Sequence, residues 1–166
     1  MKIKLLDLEF DSEYFYIQSK SIVEKIIFNN RTFYSKFEKH LLPLNPILLQ
    51  QHFHHEVTLA MPLIEHGMVN YIVIEYSNDD WKSFYALVKH LLKSLDIHNY
   101  QSYRNTKNST LQIFIPILAL PLEKAYKKID VLKDTLELKS KRSYKIFPDK
   151  YLPEKQNIIV IPHEKA

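Results

Sequence analysis

Three histidines occur within four residues, in the run His52-Phe53-His54-His55. Imidazole nitrogens are common ligands of zinc, copper and nickel, so this run could contribute to a metal site. On a strand, His52 and His54 would share a face, and on a helix His52 and His55 would. Neither spacing matches HExxH or another three-ligand motif, which favours a polar connecting segment without metal. His163 could join the run only if the fold brings it there.

Positive charge is concentrated near the end of the chain. From Lys139 to Ala166 there are seven Lys or Arg and three Asp or Glu, which accounts for the whole net charge of +4. The cluster Lys139, Lys141, Arg142 and Lys145 is its densest part. Such a cluster either tracks phosphates or lies at the solvated end of a helix, where basic side chains are favourable.

Glycine and cysteine usage excludes several classes of site. The 166 residues include one glycine, Gly67, and no cysteine. A Walker A loop, a GxGxxG turn, a GxSxG elbow and an EF-hand all need glycine at fixed positions. Without cysteine there are no disulfides, thiolate zinc sites or thiol nucleophiles. The apolar run from Ile113 to Leu122 is too short for a bilayer and contains two prolines, so we expect a cytoplasmic protein that does not bind membranes.

Residues 1–55 are predicted to form a helical arm. Phe15, Ile22, Val23, Ile26 and Ile27 recur at helix-like spacing. Asn45-Pro46 then resembles a cap followed by a proline in the first helical position, which predicts a short helix to about residue 51.

Residues 56–166 are predicted to form an α+β core. Gly67 lies where a hairpin needs a positive φ, and Ser77 or Asn78 is suited to cap a helix, with Asp79 and Asp80 stabilising its first turn. The loop 105–109 is expected to use asparagine in the left-handed region. Strands are predicted at 56–64, 69–76, 98–104, 110–118, 142–147 and 157–161, and helices at about 78–95 and 121–136.

The element order from Val69 is β-α-β-β-α-β, the order of a split βαβ arrangement. The sequence therefore predicts a single domain, residues 1–166. Its core is an antiparallel sheet of βαββαβ (RRM-like) order with both helices packed on one face, and the helical segment precedes it.

Three stretches resemble the archaeo-eukaryotic primase and primase-polymerase superfamily, over about residues 56–163. They are the strand Ile72-Val73-Ile74-Glu75-Tyr76-Ser77, the hairpin Lys107-Asn108-Ser109-Thr110-Leu111-Gln112 and the ending from Tyr144 to Pro162. The chain also resembles a small uncharacterised family of bacterial proteins, through Asn30 to Tyr34 and Phe147-Pro148, which implies no function.

The departures from the primase pattern concern its metals. Two-metal phosphoryl transfer needs several carboxylates around the cations. Here Glu75 stands alone, Ser77 occupies the position of the second acid, and Lys145 lies where a third acid is expected. The resemblance therefore implies a degenerate domain with no catalytic residues and no metal ligands.

Phosphate or base binding is the function that this resemblance leaves. Lys and Arg supply charge, and Ser and Asn supply hydrogen bonds. The expected partner is a dNTP, an NTP or a single-stranded nucleic acid, and no cofactor is expected beyond a nucleotide bound with a divalent cation. The candidate site residues are Glu75, Ser77, Arg104, Lys107, Asn108, Ser109, Lys145 and Asn157, with Arg31 from the arm.

Two other functions stay open. The protein could be an adaptor that docks a protein partner through the helical arm or the segment from Ile113 to Leu122. It could also be a metal-dependent hydrolase that uses the histidine run.

Overall fold

The computed structural model describes residues 2–11 and 13–166 of the chain. Its first part is mainly strands, with one short helix. The elements are β1 (Lys2–Leu5), β2 (Leu8–Asp11), β3 (Phe15–Gln18), β4 (Glu24–Phe28), β5 (Arg31–Ser35), β6 (Phe37–His40), α1 (Pro46–Phe53), β7 (Leu59–Pro62) and β8 (Ile64–Glu65).

The second part contains the longer strands and helices. The elements are β9 (Met68–Tyr76), α2 (Trp81–Ser94), β10 (Gln101–Asn105), β11 (Thr110–Pro121), α3 (Leu122–Lys139), β12 (Lys145–Phe147), a 3-10 turn (Glu154–Gln156), β13 (Ile158–Val160) and β14 (Glu164–Lys165).

Most of the strands of the second part form one antiparallel sheet, which we call the main sheet. Its strand order is β12-β9-β11-β10-β14, and β8 pairs with β9 as well. The β9–β11 pair is the longest, with Ile74 opposite Ile113 and Glu75 opposite Gln112. The predicted α+β class with an antiparallel sheet is confirmed. Along the chain, β9, α2, β10, β11, α3 and β12 follow one another in that order.

Both long helices cover one face of the main sheet. Phe84 of α2 and Leu132 of α3 pack against Ile74, Ile113 and their neighbours in one buried cluster. The amphipathic pattern of each helix explains this placement, because its apolar side chains recur on a single side. The prediction that the two helices share a face is confirmed.

A second, smaller sheet covers the other face. Its strand order is β13-β7-β3-β6, and Phe15 and Leu59 from this sheet pack against Val73 and Phe114 of the main sheet. The molecule therefore has three layers, which are helices, main sheet and second sheet. Because side chains alternate along a strand, β9 and β11 are apolar on both faces.

The predicted helical arm is wrong, because the described residues up to His40 form the six strands β1 to β6 and their connections. Within β4 the burial alternates residue by residue, as in a strand with one covered face. Asn29 and Asn30 have φ of 49° and 62° and join these strands as a two-residue hairpin turn. Of the arm, only the short helix is confirmed: Asn45 caps α1 by accepting from the Leu48 N–H at 2.9 Å.

Several local predictions need adjustment. α2 begins at Trp81 after Asp80, which makes no side-chain capping bond, so neither Ser77 nor Asn78 is its cap. The strand predicted at 56–64 divides into β7 and β8. The turn at Gly67 is confirmed, since His66 and Gly67 both have a positive φ.

The hairpin turn at Asn30 predicts an order of stability for two variants, and a helix at this position predicts the opposite order. Alanine tolerates the left-handed region poorly and glycine well, so Asn30→Ala should lower the free energy of unfolding by about 1 kcal/mol more than Asn30→Gly does. In a helix, glycine would be the worse substitution. Urea unfolding of both variants measures the order.

The matched control is Asn70, which is exposed within β9. In a strand interior glycine is less favourable than alanine, so Asn70→Gly should have a lower free energy of unfolding than Asn70→Ala. An Asn30→Ala protein more stable than Asn30→Gly would contradict the hairpin.

Candidate functional site

Glu75 lies where β9 is flanked by two partner strands. Lys145 of β12 is opposite it on one side, and Gln112 of β11 is opposite it on the other. Strand pairing thus brings together two of the predicted site residues that are 70 positions apart in the sequence. The loop between β10 and β11 lies at the same end of the sheet, which we call the hairpin end.

The Glu75 carboxylate is held by a buried amide. Gln112 is fully buried, and its Nε2 donates to Glu75 Oε2 at 3.0 Å and to the Val160 carbonyl at 2.9 Å. Burial raises the pKa of Glu75, whereas the hydrogen bond from Gln112 and the charge of Lys145 lower it. The same amide ties the main sheet to β13 of the second sheet.

Ser77 belongs to a short chain of hydrogen bonds at the surface. Its Oγ lies 3.0 Å from Thr110 Oγ1, which donates to Asn108 Oδ1 at 2.8 Å. A hydroxyl has one proton, so Ser77 must donate to Thr110. The site residues Ser77 and Asn108 are therefore linked, and both are exposed to solvent.

Lys107 points to the second sheet and makes no contact with Glu75 that the structure describes. Its Nζ donates to Thr58 Oγ1 at 2.8 Å, and its backbone N–H donates to Asn105 Oδ1 at 3.1 Å. Ser109 has φ of 57° and is the residue of this loop in the left-handed region, so the prediction that an asparagine takes it is wrong. Asn105 stabilises the turn through its side-chain amide, which accepts from the Lys107 N–H, and not by a left-handed backbone.

Arg104 lies on the helix side of the main sheet. Its guanidinium carbon is 4.2 Å from the centre of the Trp81 ring, a cation–π contact at the start of α2. Its Nη1 is buried and has no hydrogen-bond partner among the described residues. This burial lowers the pKa of Arg104, although an arginine remains charged at neutral pH.

The basic cluster does not act as one patch. Arg142 donates to Asp80 Oδ2 at 2.8 Å and to Ser83 Oγ at 3.1 Å, which ties it to α2. Lys139 is the last residue of α3, where a positive charge is favourable. Of the four, Lys145 alone lies beside Glu75.

Two predicted site residues lie elsewhere. Asn157 is fully buried and hydrogen-bonds the backbone around Asp149, accepting at 2.7 Å and donating at 3.0 Å. Arg31 is in the β4–β5 hairpin, a sheet separate from the main sheet, with its guanidinium 5.1 Å from the centre of the Phe33 ring. Neither belongs to the hairpin end.

The histidine run and His163 do come together. The rings of His52 and His163 stack at 4.6 Å, and His55 meets His163 edge-on at 4.5 Å. Both nitrogens of His52 are engaged, since Nδ1 accepts from the Leu59 N–H at 3.0 Å and Nε2 donates to the Ile161 carbonyl at 2.7 Å. This arrangement counts against the metal-dependent hydrolase, because His52 has no free lone pair.

His163 is held neutral by its surroundings. Its Nδ1 accepts a hydrogen bond from the Thr106 N–H at 3.2 Å, so the ring proton lies on Nε2. That Nε2 is buried and has no hydrogen-bond partner among the described residues, 2–11 and 13–166. Burial, with smaller contributions from His52 and His55, lowers the pKa of His163 to about 4. Within those same residues, no group of three or more His, Asp or Glu is arranged to hold a metal ion.

Three contributors to the hairpin end were missed by sequence reasoning: Thr58, Trp81 and Val160. Thr58 directly precedes β7, Val160 is the last residue of β13, and Trp81 is the first residue of α2, so all three are distant in the sequence from the residues that they contact. No local pattern marks such contacts, because they arise when the second sheet and α2 pack against the ends of β10 and β11.

A family model matches the first part of the chain. Residues 1–70 match the model described as a domain of unknown function, DUF1882. This stretch extends from β1 into the first residues of β9, and of the candidate site residues it includes Arg31 alone. No curated protein matches the chain. Of the helices that the structure describes, none is long and apolar enough to cross a membrane.

Asn157 is expected to matter for stability. Asn157→Ala leaves the Asp149 N–H without its acceptor, so it should lower the free energy of unfolding by about 2 kcal/mol, measured by urea unfolding. Asn108→Ala in the exposed loop is the control and should change it by less than about 0.5 kcal/mol. Equal losses would contradict the structural role of Asn157.

The neutral state of His163 predicts a pH dependence of stability. The unfolded chain binds a proton at His163 below about pH 6.5, but the folded chain does not until about pH 4. Stability should therefore be full above pH 6.5 and fall as the pH is lowered through that window. His163→Phe keeps an aromatic ring stacked on His52 but binds no proton there. The free energy of unfolding of this variant should fall less steeply with decreasing pH than that of the wild type, measured by urea unfolding at several pH values.

His52 has a lowered pKa too, caused chiefly by burial, so part of the slope should remain in that variant. His90→Gln, on the exposed side of α2, serves as the control and should keep the wild-type slope. A wild-type slope in His163→Phe would contradict the prediction.

Proposed function

We propose that the protein is a non-catalytic binder of nucleotides or nucleic acid that holds phosphates at the hairpin end. The observation that carries this proposal is the unpaired charge of three cations. Within the described residues, Arg104, Lys107 and Lys145 form no ion pair. Four other basic residues near the end of the chain do pair with a carboxylate: Arg142, Lys150, Lys155 and Lys165.

Carboxylates lie near two of these cations without forming an ion pair: Lys145 is opposite Glu75, and Arg104 is opposite Glu164. The direct contacts of Lys107 and Arg104 are with neutral groups. Lys107 bonds to the hydroxyl of Thr58, and Arg104 stacks on Trp81. Neither partner neutralises a cation, so an incoming phosphate would form charge-assisted hydrogen bonds. Arg104 Nη1 supplies a donor that needs a partner, since a buried N–H without one is unfavourable.

The spread of the cations favours a polyanion over a single phosphate group. Lys145 is on β12 and Arg104 is on β10, and β9 and β11 lie between them. Neighbouring strands are about 4.8 Å apart, so the two strands are separated by about 14 Å. Arg104 faces α2, whereas Lys145 lies beside Glu75 on the side of the second sheet, so a strand that contacts both cations passes over the hairpin end. Successive phosphates of a single nucleic-acid strand can cover such a distance.

The proposed function is non-catalytic because Glu75 has no acidic neighbour in its strand pairs. The residues opposite it are Gln112 and Lys145, an amide and a cation. Two bound metal ions would need further carboxylates at these positions. This agrees with the resemblance to a degenerate primase-polymerase domain, in which binding is kept and phosphoryl transfer is lost.

A salt titration tests the proposal. A labelled single strand of about 10 nucleotides should bind saturably at about 50 mM salt and more weakly at about 200 mM, measured by fluorescence anisotropy. Lys107→Gln and Lys145→Gln should each reduce the slope of log K against log salt by about 0.7. A labelled dNTP should bind more weakly than the strand, because it reaches fewer of the cations.

Lys93→Gln, exposed at the end of α2, is the matched control and should keep the wild-type slope. Absence of saturable binding at low salt for both strand and dNTP would overturn the proposal. An equal reduction of the slope in Lys93→Gln would show that the binding is not located at the hairpin end.

A second candidate, a protein adaptor, is favoured by one observation. Large hydrophobic side chains are exposed on the β4–β5 hairpin, including Ile27 at 72% and Tyr34 at 59%. Exposed apolar groups of this kind mark protein interaction sites when they form a patch. The oligonucleotide titration separates the two functions. A protein that is only an adaptor would not bind the oligonucleotide, so Lys107→Gln would have no effect on the titration.

A further inference from the structure

A cavity of about 680 Å³ lies at the other end of β11 from the candidate site. It is partly open to solvent and is lined by the segment that follows α2, by α3 and by the second half of β11. Its walls are mainly aliphatic and include Ile72, Ile97, Ile115 and Leu132. Cavities that bind small molecules are of this size and are mostly apolar with a few polar groups.

The mouth of the cavity is formed by a backbone irregularity. The register of β11 against β9 shifts between Pro116 and Leu120. Between them, Leu118 and Ala119 have φ of 46° and 50°, a region that residues other than glycine rarely adopt. The irregularity leaves the Leu118 side chain 93% exposed, and Val131 of α3 is 55% exposed beside the cavity.

This combination indicates a ligand site. Strained backbone conformations cluster at ligand-binding positions, where the surrounding structure maintains them. Here the strained segment holds the aliphatic side chain of Leu118 in water at the mouth of an aliphatic cavity. An apolar ligand in the cavity would cover Leu118 and Val131 and remove their apolar surface from water.

The charges at the mouth specify one more property of the ligand. Asp96 accepts a hydrogen bond from His98 at 2.8 Å, and its side chain is 95% exposed, so water and salt screen its negative charge. Lys128 also lines the cavity and is exposed, and it forms no ion pair within the part of the chain that the structure describes. Lys128 is thus a cation beside an apolar space.

We propose that this cavity binds a small amphipathic organic anion. Its aliphatic or aromatic body fills the space between α3 and β11, and its carboxylate, sulfonate or phosphate group lies at the mouth beside Lys128. This site is separate from the hairpin end, and it does not depend on nucleic-acid binding.

The dye 8-anilinonaphthalene-1-sulfonate is a suitable probe, because it combines an aromatic body with one anionic group. Its fluorescence should rise saturably with the folded protein, with one site per chain. Decanoate should then displace it, and decanol, which has the same chain without the charge, should displace it less well.

Two variants of the mouth test the geometry. Lys128→Gln should weaken the binding of dye and decanoate about two- to fivefold, the range of an exposed ion pair, and leave decanol unchanged. Val131→Asp adds a negative charge at the mouth and should weaken both anions more strongly. Circular dichroism and urea unfolding verify that each variant is folded.

Each variant has a control on the same helix. Lys127→Gln removes a neighbouring exposed charge, and Leu138→Gln removes an apolar side chain that is 88% exposed and does not line the cavity. Both should bind the dye as the wild type does.

Four results would overturn the proposal. They are no saturable dye binding by the folded wild type, equal effects of Lys128→Gln and Lys127→Gln, displacement by decanol as effective as by decanoate, and dye binding that declines as protein concentration rises. The last would show that a second copy of the chain covers the cavity.

Discussion

The antiparallel pairing of β9 with β11 places apolar side chains on both faces of the main sheet. Ile74 and Ile113 face the helices, and Val73 and Phe114 face the second sheet. Both faces must therefore be covered, and the two long helices and the second sheet do so. The polar end of the β9–β11 pair also contributes to layer packing, because Gln112 is buried between the main sheet and the second sheet. Its amide joins Glu75 to the Val160 carbonyl and so links the candidate site to the packing of the two sheets.

A chain with one glycine needs other residues in its left-handed positions. Asn29 and Asn30 do this in the β4–β5 turn, where their polar side chains make the conformation less costly. Leu118 and Ala119 have no such compensation, and their bulge lies at the mouth of the apolar cavity. The first case is explained by chain reversal. The second has no local reason in the sequence, which is why we connect it with ligand binding.

Prediction from the sequence succeeded where periodicity was strong and failed where it was ambiguous. The inward side chains of α2 and α3 could be identified because an amphipathic helix repeats its apolar positions over several turns. The arm failed because short strands rich in isoleucine and phenylalanine give apolar spacings that also fit a helix. For the site, neighbouring strands could be expected to bring Glu75 near Lys145, but the contact of Lys107 with Thr58 could not.

The α+β class, the helix faces, the turn at Gly67 and the absence of glycine-dependent and cysteine-dependent chemistry follow from residue type and local periodicity, so they could be predicted without a structure. Which polar groups meet depends instead on the packing of the layers. His163 stacks on His52, Arg104 lies on Trp81 and Gln112 reaches Val160, each across a large sequence separation. Such contacts depend on how whole layers pack, and layer packing is set by the sum of many apolar contacts, which no local pattern contains.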